Sequence, residues 1–199
     1  SLLIFDEVIS GFRVAAGGAA EIYGIQPDIV TFGKILGGGM PVGAFGGPAA
    51  VFEHLAPNGP VYHAGTLSGN PVAMAAGLAT LKIQARDRVF DHLETLGARL
   101  EAGMRKQMAA HDWPVGMVRQ GSIFWFYFTD GEAPRTAEAV HSDCAQPYAR
   151  FFRGCFERGV YLAPSAYEVG FLSQAHTEED IDHAIEVFTA SLNETFASR

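Results

Sequence analysis

The sequence predicts an α/β region followed by a smaller α+β domain, and three observations carry that expectation. Short apolar runs, Leu2–Phe5 and Ile29–Phe32, each end within two residues at an ionisable side chain, Asp6 and Lys34. Such runs are typical of strands buried on both faces of a parallel sheet. Fifteen of the 23 glycines lie within residues 1–77, seven of them between Gly33 and Gly47, so the backbone freedom that ligand loops need is concentrated there. Trp113-Pro114 then punctuates the chain, and the composition changes to an aromatic strand pair and two helical stretches.

The elements follow in order. Ser1–Phe5 reads as a buried strand, and a start inside a strand leads to the expectation of a C-terminal piece of a longer chain. Asp28–Phe32 is a second strand and Val42–Gly46 a weaker third. A helix is expected from Asn70 to about Gln84, with Asn70 as N-cap and Pro71 at the first helical position. Residues 88–110 continue helical, with Val89, Leu93, Leu96, Leu100 and Met104 at 3–4 spacing. Val115–Gln120 and Ser122–Phe128 form a strand pair around Gly121, 137–158 a helix, and Val160–Leu162 a short strand. Thr177 with Asp180 three residues on resembles a capping box, and Glu178 and Glu179 suit the start of the last helix. The expected division is 1–85 for the α/β part, 86–112 for a connecting helix and 113–199 for the small domain.

Composition excludes several function classes. With 14 Lys+Arg against 22 Asp+Glu the formal charge is −8, which repels nucleic-acid phosphates, and no basic stripe offsets it. The aromatic run Phe124–Phe128 therefore reads as a core strand, not as a base-stacking platform. No apolar run approaches the ~20 residues that cross a bilayer, so no membrane partner is expected. Two cysteines, Cys144 and Cys155, cannot form a disulfide framework, which makes a cytoplasmic location the expectation. The seven histidines show no paired ligand spacing, and no metal site is expected.

The chemistry lies with Asp6 and Lys34. Ligands of open α/β sheets sit outside the carboxyl ends of the strands. A carboxylate and an amine converging there suit pyridoxal phosphate: the lysine joins the aldehyde, and the carboxylate keeps the pyridine nitrogen protonated. Burial among glycine and apolar residues is expected to poise Lys34 for deprotonation. Alone, Asp6 reads equally as a buried strand-end carboxylate, and Lys34 as a surface lysine.

The surrounding residues are more specific. Ile4-Phe5-Asp6-Glu7-Val8-Ile9-Ser10-Gly11-Phe12-Arg13 followed by Pro27–Lys34 resembles the cofactor signature of the class III, fold-type I pyridoxal-phosphate aminotransferases. Gly37–Gly47, Ala64-Gly65-Thr66-Leu67-Ser68-Gly69-Asn70-Pro71, Pro164–Phe171 and Ala175–Ile181 are similar, within that class, to the glutamate-1-semialdehyde 2,1-aminomutases. The resemblance is dense over 1–80 and 160–182 and loose between about 85 and 158. It implies the remnant of a fold-type I large domain plus a C-terminal small domain. It implies pyridoxal 5'-phosphate as cofactor, an amino aldehyde as substrate, and a homodimer with the active site shared across the interface. Lys34 would be the Schiff-base lysine and proton shuttle, and Asp6 the partner of the pyridine nitrogen. Val8 would pack on the ring, although strand packing explains it as well. Gly65 and Thr66 would bind the cofactor phosphate of the neighbouring subunit, and Glu168 would stand at the active-site entrance. His63 departs from the Gln expected there. The family's other phosphate loop, its ring-stacking aromatic and its substrate-carboxylate arginine are not in this sequence, so the chain by itself is not expected to be catalytically competent.

Two readings from other classes compete. An apolar strand ending in Asp6-Glu7 also suits the magnesium-binding strand of nucleotide hydrolases, but no G-x-x-x-x-G-K-[ST] loop accompanies it. A non-catalytic interaction module requires an exposed apolar patch in place of a lined crevice.

Overall fold

The computed structural model describes residues 1–197; the expected small domain runs two residues beyond them. The chain forms two compact units, Ser1–Phe90 and the residues from Asp91 onward.

The first unit is built on a three-stranded sheet in the order β1 (Ile4–Asp6), β2 (Ile29–Phe32), β3 (Ala44–Gly46). β1 and β2 are parallel, with Ile4 opposite Ile29 and Asp6 opposite Thr31. β3 runs antiparallel to β2, with Thr31 opposite Phe45. A six-residue helix α1 (Gly18–Tyr23) connects the parallel pair and ends at Gly24 in the left-handed conformation. A single 3-10 turn, Lys34–Gly37, follows β2, and a short helix α2 (Ala49–Phe52) follows β3. Helix α3 (Pro71–Arg86) starts as its sequence predicts: the Asn70 side chain accepts from the Ala73 amide at 2.9 Å, and Pro71 occupies the first turn.

The expectation that β1 is buried on both faces is corrected by the structure. Leu2, Leu3 and Ile4 are exposed, and most of the large exposed apolar side chains belong to this first unit. A three-stranded sheet with two short helices and one long one has too few layers to cover both faces of its apolar strands.

Helix α4 (Val89–Ala110) opens at the boundary between the units, and the predicted stripe Val89, Leu93, Leu96, Leu100 and Met104 is buried throughout. The second unit has a sheet in the order β4 (Gly116–Gln120), β5 (Ile123–Tyr127), β6 (Gly170–Phe171). β4 and β5 form the expected hairpin, with Gly121 at φ 57° in the turn. On β5, Phe124 and Phe126 are buried while Trp125 and Tyr127 are partly exposed, as strand alternation demands. The buried rings meet Phe151 and Phe188 edge-on or tilted, with Phe126 5.4 Å from Phe151 and 5.2 Å from Phe188. These come from helices α5 (Ala145–Glu157) and α6 (Glu178–Phe196). Thr177 and Asp180 form the full capping box at the start of α6.

Two expectations fail here. Residues 137–158 are not one helix: two 3-10 turns, Ala137–Ala139 and Ser142–Cys144, precede α5. Pro147 is tolerated only in the first turn of a helix, so α5 cannot extend upstream through it without losing a hydrogen bond and striking a carbonyl. Val160–Leu162 forms no strand. Gly170–Phe171 takes the edge of β5 instead, continued by a hydrogen bond from Leu172 N–H to the Ser122 carbonyl at 2.8 Å. Among the described residues no helix is long and apolar enough to cross a membrane.

In the full-length protein, Leu96→Ala is expected to lower the unfolding free energy by about 2–5 kcal/mol. Thr177→Ala is expected to cost about 1 kcal/mol by removing the cap. Denaturant titration checks both, and a change near zero for Leu96→Ala would show that the α4 stripe is not a core.

Candidate active site

The parallel register of β1 and β2 places Asp6 beside Thr31, so Lys34, three residues past Thr31, follows the same sheet edge. The ladder continues one residue beyond β1, with Glu7 N–H donating to the Thr31 carbonyl at 2.9 Å. Asp6 Oδ1 accepts from Val8 N–H at 3.0 Å and from the Thr31 hydroxyl at 3.4 Å. Among the described residues nothing hydrogen-bonds Asp6 Oδ2, and the side chain is exposed. Val8 reaches toward Gly33: a Cβ on Gly33 would lie 3.3 Å from Val8 Cγ1. Asp6, Val8 and the segment carrying Lys34 are thus neighbours through β2.

Lys34 sits at φ 45°, a left-handed conformation that costs a non-glycine residue roughly 1–2 kcal/mol. The turn that holds it is closed by Leu36 N–H to the Gly33 carbonyl at 3.0 Å and Gly38 N–H to the Ile35 carbonyl at 2.9 Å. Helix α3 packs directly on this turn. Gly77 on α3 meets the Leu36 carbonyl so closely that a Cβ would overlap it, and Gly38 at φ 57° faces the Ala76 carbonyl and the Thr80 hydroxyl. Part of the glycine concentration in the sequence therefore serves backbone-to-backbone contact. The expected burial of Lys34 is not seen within this chain, where its side chain is exposed.

Gly65 and Thr66 lie on an exposed turn ahead of α3. Ser68 N–H donates to the Gly65 carbonyl at 3.0 Å, and Asn70 Nδ2 pins the Leu67 carbonyl at 2.9 Å. Gly65 lines an apolar cavity of about 660 Å³ with Leu36, Val42, His63, Ser68 and Leu78, while Asp6, Val8 and Lys34 are not among its walls. No hydrogen bond or ion pair among the described residues joins Gly65 or Thr66 to Asp6 or Lys34. His63 packs edge-on against Phe45, ring centres 5.1 Å apart.

Glu168 belongs to the second unit, exposed at the end of a turn in which its N–H donates to the Ser165 carbonyl at 3.1 Å. Two buried anchors hold the preceding loop: Tyr148 donates to the Ala163 carbonyl at 2.6 Å and Trp125 Nε1 to the Ala166 carbonyl at 2.8 Å. Burial first, then the neighbouring Cys155 and Glu168, pushes the Tyr148 phenol up to about 12, so it remains a neutral donor. Both cysteines are free and buried, and burial raises their thiols. No cluster of three metal-ligating side chains occurs among the described residues.

Glu7, which the sequence offers only as part of the competing Asp6-Glu7 metal reading, has its signal in Ser10 three residues on and Gly17-Gly18 downstream. It is only 1% exposed. Burial raises its carboxyl, but the Ser10 hydroxyl and the Ala19 and Ala20 amides outweigh it, and the group titrates below its ordinary 4.5.

The Glu7 contribution to stability is complete above pH 4.5 and is lost as pH falls through the lowered folded value. Glu7→Gln is therefore expected to flatten the acid side of the stability profile below that pH, read by denaturant unfolding at several pH values. Gly77→Ala is expected to push the Lys34 turn from α3 at a cost of about 1–3 kcal/mol, checked in the same titration.

The sequence pattern of the family described as Aminotransferase class-III matches residues 1–192. The glutamate-1-semialdehyde 2,1-aminomutase of Akkermansia muciniphila is 50% identical over 193 residues, covering 97% of this chain and 45% of the relative. That of Thermus thermophilus is 48% identical over 192 residues, covering 96% and 45%. Among solved structures, an omega-transaminase from Sphaerobacter thermophilus superposes with a TM-score of 0.85 at 32% identity, over 98% of this chain and 44% of that one. A glutamate-1-semialdehyde-aminomutase from Pseudomonas aeruginosa PAO1 superposes with a TM-score of 0.83 at 26% identity, over 98% and 45%. The chain spans less than half the length of the curated relatives it matches. With the family pattern running through both units and the strand-end carboxylate and lysine in its frame, the chain belongs to the class-III aminotransferases.

Proposed function

We propose that the chain is part of a pyridoxal-phosphate-dependent glutamate-1-semialdehyde 2,1-aminomutase, which moves an amino group between adjacent carbons to give 5-aminolevulinate, a tetrapyrrole precursor. The observation that carries this reading is the parallel β1–β2 register, which sets Asp6 and the Lys34 turn at one sheet edge. Identity near 50% to aminomutases supports the substrate. The donor set fits the cofactor: Asp6 offers an exposed carboxylate with Oδ2 unengaged, Lys34 an exposed primary amine, and Gly33 leaves only a narrow gap beside Val8.

Pyridoxal 5'-phosphate, when bound, supplies a ring that takes up negative charge developing next to an amine. Asp6 holds the proton on the ring nitrogen by charge-assisted hydrogen bonding. Lys34 anchors the cofactor through Nζ and, when released, moves a proton between the two adjacent carbons. Val8 packs against the ring face. Gly65 N–H and the Thr66 hydroxyl would bind the cofactor phosphate of a partner subunit, a reading supported by their lying on an exposed turn that, among the described residues, makes no hydrogen bond to Asp6 or Lys34. The family resemblance would give Glu168, on its anchored loop, a role at the active-site entrance. The assembly in this reading is a homodimer. A cytoplasmic location belongs to the same reading, supported by two free, buried thiols.

A second reading, an aminotransferase using a separate amine donor and keto acid acceptor, is favoured by the similarity to the omega-transaminase. The two separate in one assay of the full-length protein. The aminomutase forms 5-aminolevulinate without added amine or keto acid, whereas the aminotransferase turns over only when both are supplied.

Borohydride reduction of the full-length protein is expected to leave a pyridoxyl group on Lys34, mapped by mass spectrometry; an unlabelled Lys34 in protein saturated with the cofactor would overturn the assignment. Lys34→Ala is expected to abolish labelling and activity. Asp6→Asn is expected to lower kcat by about 100-fold or more through loss of the charge facing the ring nitrogen, measured under saturating cofactor.

A further inference from the structure

Glu7 is the only charged side chain that is buried among the described residues, and the chemistry proposed above does not use it. It stands between Asp6 and Val8. Asp6 is the last residue of β1 and Val8 the first of the turn that follows, so a residue whose side chain and main chain are both anchored between them fixes the backbone from which its two neighbours project.

The anchorage is complete. Glu7 Oε2 accepts from the Ser10 hydroxyl and from Ala19 N–H at 3.0 Å, and Oε1 accepts from Ala20 N–H at 2.8 Å. Its main chain is engaged too: N–H to the Thr31 carbonyl at 2.9 Å, and the carbonyl to Gly11 N–H at 2.8 Å. Gly18, at φ 69°, forms the floor of the cradle, where a Cβ would overlap the carboxylate. The segment beyond is fastened to α3 by Gln84 Nε2 donating to the Phe12 carbonyl at 2.8 Å. One side chain thus ties the end of β1, the following turn and the start of α1 into a single knot.

We propose that Glu7 is a positioning residue for the cofactor crevice, locking the chain so that Asp6 and Val8 are held toward the space beside Gly33 and Lys34. The inference rests on the pyridoxal-phosphate reading. A buried anion with three donors is costly to misplace, because any shift leaves a charge or an amide unsatisfied in the interior. That rigidity is what a carboxylate aimed at a ring nitrogen requires, since small displacements weaken such contacts steeply.

The test uses the full-length protein freed of cofactor and titrated with pyridoxal phosphate. It reads Kd and the pH midpoint of the bound cofactor's visible absorbance, alongside the Tm of the cofactor-free protein. Glu7→Gln is expected to raise Kd by about 10-fold or more, the scale on which loosened supporting residues cost a site. It is also expected to move the absorbance midpoint. Thr177→Ala, far from these residues in sequence and outside the site, is the control for stability alone, expected to lower Tm with Kd and midpoint unchanged. Parental Kd and midpoint in Glu7→Gln, even with a lower Tm, would overturn the proposal. If Glu7→Gln does not fold, Ser10→Ala removes one of the three donors: a raised Kd with a shifted midpoint supports the positioning role, and parental values overturn it. Failure of the underlying reading shows separately and first, as a parent protein with no visible band and no borohydride label on Lys34.

Discussion

The hydrogen bond from Glu7 N–H to the Thr31 carbonyl, one step past the last residue of β1, is the constraint on which the site depends. It extends the parallel ladder to the point where the chain turns away from the sheet. Without it the Asp6–Thr31 pairing would be the frayed end of a three-residue strand. With it, the two strands share an end, and the residues following each must occupy neighbouring space. A parallel pair is the topology that does this, because both strands deliver their carboxyl ends to the same edge. An antiparallel pairing of the same two runs would send Asp6 and Lys34 to opposite edges.

The two units achieve order by different means. In the second, burial dominates: Phe124, Phe126, Phe151 and Phe188 form a ring cluster with edge-on contacts, and Leu96, Leu100 and Leu192 are wholly or nearly wholly buried. Arg119 bridges Glu94 and Glu101 at 2.8–2.9 Å along the surface of α4, and Arg99 pairs with Asp182 and Glu178 at 2.6–2.7 Å. The exposed Arg99 pairs contribute little beside the aromatic cluster, whereas Arg119 is mostly covered where it meets Glu101. In the first unit few large apolar side chains are buried, and its local geometry rests on main-chain contacts instead. The Glu7 knot, the Asn70 cap and the glycine-to-carbonyl approach of α3 to the Lys34 turn are all of this type.

That difference explains how the glycines should be understood. Gly38 and Gly77 let a helix rest on a strained turn, and Gly18 makes room for a carboxylate. Each removes a side chain so that a polar backbone atom or a charge can be approached closely. The strain at Lys34 is held in place by the same packing, in keeping with the tendency of left-handed non-glycine residues to occur where surrounding structure over-determines them.

Much was legible in the sequence because it is written in local chemistry. The Asn70 and Thr177–Asp180 caps, the α4 stripe, the hairpin at Gly121 and the strand ends at Asp6 and Lys34 all follow from residues within a few positions of one another. The family signature around Asp6, Lys34 and Gly65-Thr66 is local in the same way. What failed was non-local, or was read without its breaker: 137–158 divides because Pro147 can stand only in a first turn, Val160–Leu162 forms no strand, and Gly170–Phe171 pairs with β5. Only the tertiary structure decided that β1 and Lys34 are exposed in this chain, and that Glu7, whose local signal is no more than Ser10 and the Gly17-Gly18 pair, is its buried anchor. Burial and pairing depend on what distant segments bring to a residue, and sequence spacing carries no record of that.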